Sequence, residues 1–466
     1  MSENYDVLVI GAGPAGYVAA IRAAQLKQKV GIVDRQWLGG VCLNVGCIPS
    51  KSLLKNAEVA HILRERGKDF GFSFDNLKLD YGVAVKRSRQ NSDRLVKGVG
   101  FLMKKNAITV YIGDARLLSG TTIAVTDAGK QVIQLNAKNI VVATGATAMV
   151  PPAWKVDAEK VITYLEAILQ ERLPKSVIII GSGAIGVEFA TIWNSYGVDV
   201  TIVEMLPRLV PLEDEEVSKE LEKEFKKRGI KCLVGTKVES VEATQSGARV
   251  KVSAEGKESA LDAEQALVAI GFRPNSKGFG LEEVGVKVNE RGFVEINEKM
   301  QTSVPSIWAI GDVTGKLMLA HVGSAMGIVA AENIAGAETV TLDFEMMPRA
   351  TYSQPQIASF GLTEAQAKER GHSVKVGRFP FQANGKALGL GDYAGWVKIL
   401  RDEKYGEILG AHMIGPEVTE LLPELTLAHL MELTPHEIGR NVHAHPSLSE
   451  VLGEAAHAAE GMPIHI

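Results

Sequence analysis

Three cysteines in 466 residues are too few to staple a disulfide scaffold. No apolar run reaches the roughly 18 residues that a membrane span needs, so no membrane is expected. Charge of one sign is also missing. The chain sets 51 Lys and Arg against 55 Asp and Glu, a net charge of −4, and nothing in that balance calls for nucleic acid. Four or five polar residues lead straight into the first apolar run, so no signal or transit peptide is expected. A reducing cytoplasm is the expected compartment, and no metal is expected. The most charged stretch, Glu213 to Lys231, is acidic at its start and basic at its end, with Glu222 and Lys226 at i,i+4. It reads as a solvated helix that suits the helix dipole. Cys232, in Ile230-Lys231-Cys232-Leu233-Val234, reads as a packed thiol.

What is present is more specific. A hydrophobic content of 46% supports several cores, and the length suggests about three domains. The other two cysteines stand four residues apart in Gly39-Gly40-Val41-Cys42-Leu43-Asn44-Val45-Gly46-Cys47-Ile48-Pro49-Ser50-Lys51. In a regular helix, residues i and i+5 lie about 8.6 Å apart, whereas a disulfide wants Cα atoms within about 7 Å. A bridge therefore needs distorted backbone, which Gly46 and Pro49 permit. Strained, accessible bridges are the catalytic ones, although a structural bridge or two buried thiols also fit the spacing.

Upstream, Asp6-Val7-Leu8-Val9-Ile10 reads as a buried parallel strand running into Gly11-Ala12-Gly13-Pro14-Ala15-Gly16 and then a helix. Glycines at 11, 13 and 16 give a tight turn and let a pyrophosphate approach the helix N-terminus. A second strand, Val30 to Val33, ends at Asp34, an acceptor for a ribose hydroxyl. A second copy follows: Val177 to Ile180, then Gly181-Ser182-Gly183-Ala184-Ile185-Gly186, a helix, and a strand ending at Glu204. One chain thus holds two dinucleotides. A carboxylate at Glu204 accepts the 2′-hydroxyl of NAD and repels the 2′-phosphate of NADP, with Arg208 close by as a complication.

Further motifs are Ala143-Thr144-Gly145, echoed by Leu267 to Gly271, then Ala309-Ile310-Gly311-Asp312, and His443-Ala444-His445-Pro446-Ser447-Leu448-Ser449-Glu450. Together with the glycine turns and the cysteines, they resemble the flavoprotein pyridine nucleotide-disulfide oxidoreductases over essentially the whole length. The resemblance implies an α/β fold with two Rossmann-like dinucleotide-binding domains, for FAD and NAD, and a C-terminal α+β dimerisation domain. Its implied boundaries are residues 1–145 for FAD, 146–272 for NAD, 273–345 as a central segment completing the FAD domain, and 346–466 for dimerisation.

The same resemblance implies residue roles. Gly11, Gly13, Gly16, Asp34, Lys51, Thr144, Gly145, Asp312, Ala320 and His321 would hold FAD. Gly181, Gly183, Ile185, Gly186, Glu188, Glu204 and Gly271 would hold NAD. Cys42 resembles the thiol that exchanges with substrate and Cys47 the thiol facing the flavin. Lys51 resembles the cation near the flavin that pairs with Glu188; by itself it is an ordinary helix lysine, as Asp312 by itself is a turn residue. His445 resembles the base, oriented by Glu450 and supported by His443. Read alone, Ser447 to Glu450 is equally a capping box. The implied activity is oxidation of protein-bound dihydrolipoamide in a homodimer, with lipoyl domains of an acyltransferase or an H-protein as partners. Asp34, Ser50, Ser447 and the His321-Val322-Gly323-Ser324 segment depart slightly from the commonest family pattern. The rivals are another NAD(P)H-dependent disulfide reductase, such as glutathione reductase, and a non-catalytic FAD-binding assembly subunit. No cysteine follows Cys232, which removes the reductases that carry a C-terminal pair.

Overall fold

The computed structural model describes residues 3–466. It resolves into two compact units, one gathering the chain up to Leu53 with Gly82–Met149 and Gly271–Phe344, the other Leu54–Tyr81, Val150–Ile270 and Glu345–Ile466.

In the first unit, β1 (Glu3–Ile10), α1 (Pro14–Gln25) and β2 (Val30–Asp34) form the predicted strand, turn and helix. The strands are apolar on both faces because the parallel sheet is covered on both. With β3 (Thr109–Ile112), β4 (Asp114–Ser119), β5 (Thr122–Thr126) and β6 (Val132–Val142), they run in the order β3-β2-β1-β6-β5-β4, and Ile307–Ala309 pairs with β6 as the seventh strand. The register decides what this edge can do. Ile10 lies beside Val33 and Val142, and Ala309 lies beside Val142, all in parallel. Parallel strands send their carboxyl ends to one edge. Gly11, Asp34, Ala143 to Gly145, and Gly311 with Asp312 therefore leave the sheet side by side. Small residues seat α1 against the helix Ala320–Ala335: a Cβ on Gly327 would come within 2.6 Å of the Ala15 carbonyl. Arg22 and Glu332 close that contact with a 2.6 Å ion pair.

The second unit repeats the construction. Its parallel sheet runs Lys231–Leu233, Asp199–Val203, Ser176–Ile180, Gln265–Val268, Val161–Ile162, with the helix Ala184–Ser195 after the central strand. Ile180 lies beside Val203 and Val268, so Gly181, Glu204 and Ala269 share an edge. A three-stranded antiparallel sheet, Lys237–Ala243, Ala248–Ala254 and Lys257–Ala263, joins its core through Val241, Val250 and Val252. The remainder is a five-stranded antiparallel sheet from Arg349 to Gly415, whose core includes Phe360, Phe379, Phe381 and Ile399. Burying each such side chain contributes about 1.5–3 kcal/mol. The helices Val418–Leu430, Pro435–Arg440 and Glu450–Ala459 pack on that core through Leu425, Ile438 and Leu452. Two Rossmann-like sheets and a C-terminal α+β domain are the architecture that the sequence predicts.

One expectation needs correction. The charged helix runs Glu215–Lys227 and carries the Glu222–Lys226 pair at 2.6 Å, but its entry is not solvated. Glu213 and Asp214 are buried. The Asp214 side chain accepts from the Glu216 N–H, capping the helix, and both its oxygens meet the Nζ of the fully buried Lys398. Cys232 is half-buried, and burial pushes its thiol up to about 12, which leaves it inert. Among the described residues no helix is long and apolar enough to cross a membrane.

Candidate active site

The two glycine turns are built alike. Gly11 has φ +105° and Gly181 has φ +100°. A Cβ on Gly11 would come within 2.2 Å of the Ala143 carbonyl, and one on Gly16 within 1.9 Å of the Gly11 carbonyl. The second copy gives 2.4 Å from Gly181 to the Ala269 carbonyl and 2.1 Å from Gly186 to that of Gly181. Any side chain here would push the helix off the strand end. Gly13 and Gly183 cap the helices without a side-chain bond, and neither first turn holds an acid. The leading N–H groups and the positive end of the dipole are thereby left for an anion.

The acids at the second strand ends also close the turns. One oxygen of Asp34 accepts from the Ala12 N–H at 2.7 Å, and the other accepts from Gln36 and Trp37. Glu204 takes the N–H and hydroxyl of Ser182 on one oxygen and the Leu206 N–H on the other. Arg208 donates instead to the Pro211 carbonyl at 3.1 Å. Thr144 gives its hydroxyl to the Asn275 carbonyl at 2.7 Å, and the Asn275 amide returns a bond to the Thr144 carbonyl, which fixes the chain at Gly145. Gly271, in the matching place after the second sheet, has φ +120°.

Asp312 opens the short 3₁₀ turn Gly311–Thr314. Burial alone pushes its carboxyl up to about 6, and no group among the described residues donates to it. A buried acid without a donor, at the sheet edge that carries Gly11 and Asp34, fits the hydroxyls of a flavin side chain. Ala320 and His321 begin the helix packed on α1, with His321 exposed. The first edge therefore fits FAD and the second, with Glu204, fits NAD.

The cysteines sit on two helices, not one. Helix α2 (Gly40–Val45) carries Cys42, Gly46 breaks the run at φ −134° and ψ −114°, and α3 (Cys47–Glu65) begins at Cys47. That is the backbone distortion the spacing demands. A Cβ on Gly46 would lie 3.1 Å from the Cys42 Cα. Both thiols are half-buried. A hydrogen bond to Cys47, burial and the charge of Cys47 drive the Cys42 thiol well up, against a smaller pull from Lys51.

The loop's seat was not read from the sequence. Gly39 donates its N–H to the Ala12 carbonyl at 2.8 Å, and a Cβ on Gly40 would stand 2.5 Å from the Gly13 Cα. The thiol helix thus starts on the first glycine turn itself. Its signal was the Gly-Gly pair. Two arginines of the helix Tyr81–Lys105 also went unread: Arg89 donates to the Asn44 carbonyl and Arg87 to the Ser52 hydroxyl.

In the second unit, His445 Nδ1 meets Glu450 Oε1 at 2.9 Å. The other Glu450 oxygen accepts from the Ser447 N–H at 2.8 Å. The helix starts at Glu450 with Ser449 as an uncapped N-cap, so the capping box survives only as that backbone bond. One carboxylate serves both alternatives. His443 is bonded to Glu424, a residue the sequence did not single out. Glu188, on the helix Ala184–Ser195 behind Ile185, accepts from the Tyr352 N–H at 3.0 Å. Lys51 lies on α3 in the first unit, four residues after Cys47.

Residues 5–327 match the pyridine nucleotide-disulphide oxidoreductase model, and residues 347–456 match the dimerisation domain of the same family. A dihydrolipoyl dehydrogenase of Mycobacterium leprae is 54% identical over 99% of both chains, and one of Corynebacterium glutamicum is 50% identical over 100% of both. Among solved structures, LpdA of Mycobacterium tuberculosis is 26% identical, covers 98% of this chain and 99% of its own, and superposes with a TM-score of 0.91. With these matches over nearly the whole length, the chain belongs to the pyridine nucleotide-disulphide oxidoreductase family.

Proposed function

We propose that this chain is a dihydrolipoyl dehydrogenase, oxidising protein-bound dihydrolipoamide to lipoamide with FAD and NAD. The observation that carries the reading is the start of the Cys42 helix on the phosphate turn, through Gly39 N–H to Ala12 and Gly40 against Gly13. It ties a dithiol to a dinucleotide site within one unit. FAD supplies an acceptor for an electron pair from sulfur and a donor of hydride to nicotinamide.

Gly11, Gly13, Gly16, Asp34, Lys51, Thr144, Gly145, Asp312, Ala320 and His321 hold FAD; Gly181, Gly183, Ile185, Gly186, Glu188, Glu204 and Gly271 hold NAD. The domains accordingly run 1–145 for FAD, 146–272 for NAD, 273–345 completing the first, and 346–466 for dimerisation. A substrate thiolate attacks Cys42 of the oxidised pair, forming a mixed disulfide and releasing Cys47 as thiolate. The second substrate thiol loses its proton to His445 and attacks the first substrate sulfur, so the lipoyl ring closes and Cys42 leaves as a thiolate that takes the proton back from His445. His445 holds the proton because Glu450, on its Nδ1, fixes the ring and balances its charge. Cys47 keeps the negative charge while Cys42 keeps a proton, in line with the upward drive on the Cys42 thiol.

The partners are lipoyl domains of an acyltransferase or H-protein, and the cytoplasm supplies the reducing setting in which the pair is recycled. The dimerisation domain makes the chain a homodimer. A panel with lipoamide, oxidised glutathione and a non-thiol acceptor, each with NADH and NADPH, tests the reading. Lipoamide with NADH dominates; dominance of glutathione with NADPH, or no turnover at all, removes it.

A further inference from the structure

The His445–Glu450 pair has a second histidine and acid behind it. His443 is nearly buried, with a side chain 9% exposed, and its Nε2 lies 2.9 Å from Glu424 Oε1. The same Glu424 oxygen accepts the Asn441 amide at 3.1 Å, so the acid is held from two sides. The other edge of the His443 ring faces the helix Glu450–Ala459 at Gly453. A Cβ there would come within 3.3 Å of Nδ1 and 3.4 Å of Cε1. Glu450 lies three residues before Gly453, and residues three apart share a helix face. The His443 ring therefore lies along the face of the first turn, where Glu450 reaches for His445.

We propose that Glu424 and His443 are positioning residues for the base: Glu424 holds a charged imidazole against the first turn of that helix, which fixes Glu450 and sets the pH at which the His445–Glu450 pair takes up a proton. This rests on the reading of His445 as the base. The charged groups facing His443 are Glu424 from the helix Val418–Leu430 and Glu450 from its own helix, with His445 beyond Glu450. The Glu424 hydrogen bond raises the pKa of His443 against the effect of burial. Burial works against the charge on Glu450, but the Ser447 N–H and His445, with a smaller contribution from the charge on His443, together hold its carboxyl low. A cation beside Glu450 opposes arrival of a second positive charge at the pair. Removing it makes proton uptake easier, so loss of base function begins at higher pH.

The test is the pH profile of kcat/KM for dihydrolipoamide oxidation by the FAD-loaded dimer. Glu424→Gln keeps a hydrogen-bonding group but removes the charge that holds His443 protonated. Its acid limb should move up by about half a pH unit while kcat at the optimum stays within about twofold, since one unit corresponds to a tenfold change in proton affinity. His443→Gln should move the limb the same way and lower kcat by about tenfold, the scale of one lost hydrogen bond to a charged group. NADH oxidation by a quinone, which needs no thiol base, should be unchanged in both. Unmoved limbs, or equal losses with the quinone, overturn the inference. A His445→Gln enzyme that still turns over lipoamide would instead remove the reading beneath it.

Discussion

Ser182 gives both its backbone N–H, at 2.9 Å, and its hydroxyl, at 2.8 Å, to one carboxylate oxygen of Glu204, 22 residues further along the chain. In the first unit the Ala12 N–H meets Asp34 in the same way, at the same separation of 22 residues. Each acid therefore holds its own glycine turn shut before any ribose arrives. A carboxylate has about four lone-pair sites, so acceptance from a ribose hydroxyl remains open to both.

Replacing Glu204 by Arg is expected to change two quantities. The ratio of kcat/KM for NADPH over NADH should rise, because a cation replaces the acid that repels a 2′-phosphate. The absolute value for NADH should also fall by ten- to a hundredfold, because Ser182 loses its acceptor, at a cost of about 1–3 kcal/mol. An unmoved ratio would show that Glu204 does not set the preference.

The duplicated turns were legible because their requirement is local. A Cβ at position 16 or 186 meets the carbonyl of its own turn, whatever the rest of the chain does. The cysteine pair was legible for the same reason, since the spacing demands a break and Gly46 supplies it. Lys398 was not. It lies in the strand Trp396–Asp402, where a lysine ordinarily faces water, and its acids Asp214, Glu216 and Glu364 come from distant segments. No period in the sequence links them. Asp312 was named through family likeness; its place at this sheet edge follows from the parallel placement of Ile307–Ala309 beside β6. Glu424 stayed hidden because its partner, His443, is 19 residues away, beyond the helix Pro435–Arg440.

The buried Lys398 cluster carries a stability prediction. Its Nζ lies 3.2 Å from Asp214, 2.8 Å from Glu216 and 2.9 Å from Glu364. Lys398→Met leaves acids facing one another without their cation, so the second unit should lose about 3–5 kcal/mol at pH 7. Hydrogen bonds from Lys368 and Lys398 hold Glu364 at about 2, below its ordinary 4.5. A depressed carboxyl stabilises the fold above pH 4.5, and that contribution is lost as pH falls toward 2. Burial works against the charge on Lys398, yet its bonds to Glu216 and Glu364 keep it raised above 10.5, so its contribution persists up to that pH. Urea unfolding should show the largest gap between variant and wild type from pH 5 to 10 and a shrinking gap on acidification. A gap independent of pH would mean that packing, not charge, is what Lys398 supplies.

The thiol roles separate spectroscopically. With Cys42 replaced by Ser, Cys47 loses the partner that shares its proton and remains a thiolate beside the bound flavin. The oxidised Cys42→Ser enzyme should absorb at long wavelength, and Cys47→Ser should not. The band should fade on acidification as the thiolate takes up a proton. Its presence in the Cys47 variant alone would exchange the two assignments.

The last prediction concerns which chain supplies the base. The His445 side chain is 78% exposed in the single chain, whereas its partner Glu450 is half-buried. Both belong to the stretch that matches the dimerisation domain, whereas Cys42 and Cys47 belong to the first unit. If a base presented on the dimerisation domain serves the thiols of the partner subunit, a symmetric dimer has two composite sites. Cys42→Ser and His445→Ala homodimers are then each nearly inactive. Co-refolding equal amounts makes half the dimers mixed, and each mixed dimer has one intact site and one site lacking both groups. Lipoamide activity should therefore recover to about a quarter of wild type. If His445 serves the cysteines of its own chain, every site keeps one defect. With exchange verified by two different affinity tags, no recovery on mixing would remove the shared-site arrangement.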